Sequence, residues 1–100
     1  MQRLSTPTHT FALDLDMSLV KTLRIVYKQG DIVRLVKYGD DATIDGNTVT
    51  FKLTQEETQA FAAAVDVLIQ LDVLTTGGDA LHSAIIKRSV TDVLLDEVLE

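Results

Sequence analysis

Hydrophobic and polar residues alternate over most of this chain, and the alternation has the period of strands rather than of helices. From Thr8 onward Phe11, Leu13 and Leu15 fall on one side and Ala12, Asp14 and Asp16 on the other, which predicts a first strand with one buried face. Asp16-Met17-Ser18 reads as a turn or a brief helical turn, because Asp and Ser side chains satisfy nearby backbone amides. Leu23, Ile25 and Tyr27 give a second strand over 22–28, and Gln29-Gly30-Asp31 turns it into a third over 32–38. In the third strand Ile32, Val36 and Tyr38 lie on one face and Val33 and Leu35 on the other, so the pattern does not choose the buried side.

Gly39-Asp40-Asp41 is a polar break before Asp45-Gly46, which predicts a hairpin of two short strands over 42–45 and 47–54. Val49, Phe51 and Leu53 form its core face, against Thr48, Thr50 and Lys52. Thr54 followed three residues later by Glu57 fits a capping box, and the alanines after it favour a short helix over 54–64. Phe61, Ala64, Val65 and Leu68 would carry a helical stripe on to Leu71. Against that, Val65, Val67, Ile69, Leu71 and Val73 recur at period two in a β-branched stretch, and the strand reading is preferred. Thr76-Gly77-Gly78-Asp79 then turns the chain into a long partner strand over 80–90. Residues 91–100 read as a strand end followed by a short amphipathic helix or tail.

About seven short strands separated by turns predict a mainly β fold, an antiparallel two-sheet β-sandwich with one short helix. A mixed α+β fold is the alternative if 54–71 is one helix. Residues 1–7 are expected to be a flexible lead-in closed by Pro7, and 8–100 a single β-sandwich domain with an acidic-apolar C-terminal tail.

Composition adds exclusions. One hundred residues suit one domain, and 46% apolar against 24% charged residues suits a folded one. A net charge of −6 repels phosphate backbones, so nucleic acid is not an expected partner. The absence of cysteine rules out disulfides and thiolate zinc sites. Residues 1–9 lack the apolar core of a secretory leader, and no run approaches the roughly 18 apolar residues of a membrane span, so no membrane association is expected.

Candidate chemistry is sparse. Asp40, Asp41 and Asp45 match no calcium-loop spacing and suit turns. His9 and His82 stand without a Ser, Asp or Cys partner at a recognisable spacing, and no serine lies in a nucleophile-elbow sequence. Gly77-Gly78 lacks the spacing of a phosphate-binding loop. Tyr27, Tyr38 and Phe51 would serve as an aromatic platform for sugars or pack in the core. No enzyme activity, cofactor or metal is expected. Val93, Leu94, Leu95, Val98 and Leu99, set among acids, are the candidate partner contacts if they do not dock on their own sandwich, and a homo-oligomer is among the expected outcomes.

Four stretches carry a family resemblance: F-x-L-D-x-D-M-S-L-V-K-T-L-R-I-V-Y-K-Q from Phe11, I-D-G-N-T-V-T-F-K-L-T-Q-E-E-T from Ile44, I-Q-L-D-V-L-T-T-G-G-D-A-L from Ile69, and D-E-V-L from Asp96. With them the chain, from about residue 8 on, resembles small phage and prophage structural proteins of Gram-positive bacteria. It is similar in particular to the N-terminal β-sandwich modules of baseplate upper proteins. The resemblance implies a non-enzymatic structural component of a phage or prophage tail or baseplate. Its implied partners are other tail and baseplate proteins, and its implied location is the virion, after assembly in the bacterial cytoplasm. A β-sandwich module binding carbohydrate or the host surface is the alternative. The run Phe61-Ala62-Ala63-Ala64 departs from the more polar turn of the family.

Overall fold

The alternating stretches become strands in the computed structural model, which describes residues 1–99. In chain order these are β1 (Thr8–Ala12), β2 (Val20–Gln29), β3 (Ile32–Tyr38), β4 (Ala42–Asp45), β5 (Thr48–Lys52), β6 (Val67–Thr75), β7 (Ala80–His82) and β8 (Ile86–Arg88). One α-helix, α1 (Gln55–Gln59), follows β5. A smaller sheet has the order β1-β5-β4, and a larger one runs β3-β2-β6, with β7 and β8 both paired to the far edge of β6. Every pairing is antiparallel. The result is a two-sheet antiparallel β-sandwich.

The core is supplied by the faces the alternation predicts. Leu23, Ile25 and Tyr27 of β2, Val67, Ile69, Leu71 and Val73 of β6, and Val49, Phe51 and Leu53 from β5 and its exit are all buried. Each large side chain buried in full contributes roughly 1.5–3 kcal/mol. Phe11, Phe61 and Val90 complete the cluster. Val65, grouped with the core by its spacing, is instead exposed and precedes β6. Gly30 and Gly46 each open a hairpin connection in the left-handed region, at φ +57° and +60°, where a Cβ would be strained.

The helix starts where the capping box places it: the Thr54 hydroxyl accepts from the Glu57 amide at 3.2 Å, and the Thr54 amide donates to Glu57 Oε1 at 2.8 Å. It stops after Gln59, well short of the single helix over 54–71 that the α+β alternative required. Its last turn is held by polar bonds. Thr58 Oγ1 donates to the Ser5 carbonyl at 2.9 Å, and Arg3 donates to the carbonyls of Gln59 and Phe61, both at 2.9 Å. Further on, Ala64 sits at φ +62°, a conformation an alanine adopts only at a cost.

A further expectation changes. The long strand over 80–90 is split in two, making eight strands, because His82 to Lys87 spans one residue more than the facing Asp72 to Leu68. Ser83 fills the break: its hydroxyl accepts from the Leu71 amide, and its amide donates to the Leu71 carbonyl, each at 2.9 Å. Within residues 1–7 a parallel bridge joins Gln2 to Thr91, and the Arg3 amide donates to the Thr91 carbonyl at 2.9 Å. Of the two readings of 91–100, the described part follows the tail, a bridge at Thr91 followed by bends; Glu100 lies outside the described residues.

Candidate functional site

The interior holds several polar groups, and each is matched by a neighbour. The Tyr27 hydroxyl lies 2.6 Å from His9 Nδ1, and burial pushes the Tyr27 phenol up. Burial lowers the His9 imidazole, helped by the charges of Arg88 and the N-terminal amine, which favours the neutral ring beside the phenol. Lys37 points inward from β3, donating through Nζ to the Lys52 carbonyl and to Glu57 Oε1, both at 2.9 Å. Burial alone would raise the Glu57 carboxyl, but the bonds from Lys37 and the Thr54 amide outweigh it and hold the group below the usual range. Gln29 satisfies a whole connection by itself: its Nε2 donates to the carbonyls of Ala62 and Val65, and its Oε1 accepts from the Ala62 amide at 2.8 Å. Among the described residues no buried side-chain nitrogen or oxygen lacks a partner. These groups hold β3, α1 and the connection to β6 against the core.

The residues singled out in the sequence are mostly scattered. Tyr27 and Phe51 are fully buried and Tyr38 is exposed, so the three do not form an aromatic platform. Asp40 and Asp41 sit in a 3-10 turn and Asp45 at the end of β4. Among the described residues no three His, Cys, Asp or Glu side chains are grouped to hold a metal ion. Asp16 accepts from the Ser18 amide at 2.9 Å, as its turn position suggests.

His82 is the exception. Pairing of β6 with β7 sets it opposite Asp72, whose Oδ1 lies 2.6 Å from His82 Nδ1, while Asp72 Oδ2 accepts from Arg24 Nε at 2.7 Å. Burial would raise the Asp72 carboxyl, but the bonds from His82 and Arg24 prevail and lower it. An oriented imidazole can activate a hydroxyl within its reach. The adjacent Ser83 hydroxyl is already bonded to the Leu71 amide and the Ala84 carbonyl. The trio fixes charge on a surface, the outer face of the larger sheet.

That face also exposes apolar side chains. The strand whose buried side the sequence left open turns Leu35 and Lys37 inward and Val36 and Tyr38 outward. A bulge causes the ambiguity: Tyr27 faces Leu35 and Lys28 faces Val33, leaving Arg34 unpaired and shifting the alternation by one. Val33, Val36 and Tyr38 are exposed beside Arg24, Val26 and Lys28. A shallow groove on either side of Arg24 and Asp72 is lined by Thr22, Tyr38, Leu74 and Ala80 in one direction and by Val26, Val33, Leu68 and Ile85 in the other.

The second exposed apolar patch is the one the sequence named. Leu94, Leu95 and Leu99 are exposed, whereas Val93 and Val98 are half-buried. Arg3 holds the segment, donating from Nη1 to Asp92 at 2.7 Å and from Nη2 to Asp96 at 3.2 Å. Gln55 bonds the Leu99 backbone in both directions, at 2.9 and 2.8 Å. The leucines are thus presented outward by a segment fixed through its polar atoms. Arg3 was not recognisable as the clasp, because its partners lie 89 and 93 residues away.

No helix among the described residues is long and apolar enough to cross a membrane. Compared with protein-family models, with curated proteins and with solved structures, the chain matches none of them.

Proposed function

We propose that this protein is a non-enzymatic structural module that works through protein–protein contacts, and that the assembly it serves is a phage or prophage tail or baseplate, with the virion as its location. The observation that supports the contact role is the pair of apolar surfaces left open on a fully satisfied sandwich, above all Leu94, Leu95 and Leu99, held outward by Arg3 and Gln55. The tail assignment draws on the sequence resemblance from Phe11 through Leu99. Its partners on this reading are other tail and baseplate proteins.

Expression together with neighbouring tail proteins tests it. The expected result is co-purification with at least one of them or with particles, reduced when Leu94 and Leu95 are changed to serine. Failure to co-purify with any tail protein or particle rejects the tail assignment.

A further inference from the structure

We infer that the outer face of the larger sheet is the docking site for segment 92–99 of a second copy of this chain, so that copies join head to tail. This rests on the contact role proposed above and names its partner.

The two surfaces are complementary in charge as well as apolar. The segment carries Asp92, Asp96 and Glu97 and no cation. The face carries Arg24, Lys28 and Lys87 against Asp66 and Asp72. Among the described residues Lys28 has no ion-pair partner, and Arg24 engages Asp72 through Nε alone. Asp92 and Asp96 are held by Arg3 of their own copy, so Glu97, arriving with the leucines, would be the acid that meets these donors, while the leucines meet Val26, Val33, Leu68 and Ile85 in the groove.

A copy cannot cover its own face in this way. The segment is fixed to Arg3, Gln55 and Gln59, on the side where α1 lies. That is the inner side of the larger sheet, since the inward-pointing Lys37 reaches Glu57 and the inward-pointing Gln29 reaches Ala62. Because these bonds already order the segment, little of the binding free energy is lost in immobilising it. The face is also large enough. Its strands, about 4.8 Å apart and mostly shorter than the ten residues of β2, offer on the order of 500 Å², more than an eight-residue segment covers, so the contact is a weak one below the roughly 800 Å² per partner of a standard interface. Two different patches in contact make the interaction heterologous, which generates a ring or an open filament rather than a closed two-fold dimer.

Sedimentation velocity on the full chain, from about 10 μM to about 1 mM at low salt, tests this with two variants whose altered side chains are all exposed. One changes Leu94, Leu95 and Leu99 to serine; the other combines Val33→Glu and Ile85→Glu. The wild type is expected to grow in mass with concentration and to be weakened by added salt. Each variant alone is expected to associate at least about tenfold more weakly, with an unchanged urea midpoint. Mixed together, the two variants retain one intact face and one intact segment, so they should form a 1:1 dimer that grows no further. A wild type that stays monomeric, association that neither variant weakens, or variants that do not complement in the mixture overturns the inference. A monomeric chain that still co-purifies with tail proteins would remove this inference alone; a self-associating chain that binds no tail protein would remove the tail assignment alone.

Discussion

On the inner face of β2, Leu23, Ile25 and Tyr27 are buried with Val49 and Phe51 of the smaller sheet, while on its outer face Arg24 and the half-buried Val26 and Lys28 border solvent. Both faces carry apolar and polar groups, but they differ in how these are matched. Inside, the His9 imidazole is bonded to a phenol, an ammonium meets a carboxylate, and one glutamine holds a backbone connection. Outside, a bonded trio of Arg24, Asp72 and His82 lies among valines and a tyrosine that none of the described residues covers. Burial within the fold accounts for the first arrangement and not for the second, which is why the outer face is read as a surface for another molecule.

The comparison is broken most directly by emptying the inner face. Phe51→Ala leaves a cavity between the sheets and is expected to cost about 3–5 kcal/mol, measured by urea unfolding. Next comes Glu57→Ala, which leaves the Lys37 ammonium with only the Lys52 carbonyl and opens the capping box, for an expected loss of about 1–3 kcal/mol. Glu57→Gln keeps an acceptor for the Thr54 amide and should lose less. Should either substitution leave stability unchanged, the satisfied interior would not be what holds the sheets together.

How far these features were legible follows from what alternation encodes. It gave the inward residues of β2, β5 and β6, because a slip of one residue would turn each whole set to solvent. It failed at β3, where the bulge at Arg34 changes phase within seven residues, and at 80–90, where the extra residue near Ser83 does the same. Val65 continued the β6 pattern by spacing while lying in the connection that Gln29 holds. The candidate contacts at Leu94, Leu95 and Leu99 were legible as apolar residues among acids. The Asp72–His82 and Arg24–Asp72 contacts were not, because they depend on which strands are neighbours.

The pH dependence sharpens the same contrast. The lowered His9 means that folded protein resists the proton that the unfolded chain accepts near pH 6.5. Its contribution is therefore complete above that pH and declines as the pH falls toward its lower folded value. Glu57 and Asp72, also lowered, contribute fully above the ordinary carboxylate range of about 4 and lose that contribution as the pH falls through their folded values. Urea midpoints across pH should fall in two stages, and His9→Gln should remove the earlier one. The smallest effect is expected at the exposed leucines: Leu94→Ser and Leu95→Ser should each change the stability of the monomer by no more than about 0.5 kcal/mol by urea unfolding.

That the two faces of one sheet do different work is tested most directly by hydroxyl-radical footprinting of the full chain in dilute and in concentrated solution, which reads the solvent access of individual side chains. Tyr27 and Phe51 are expected to stay unreactive in both, whereas Leu94, Leu95, Leu99 and Val33 should react in dilute solution and lose much of that reactivity as the concentration rises. Leucines and an outer sheet face that react equally at both concentrations would contradict the account.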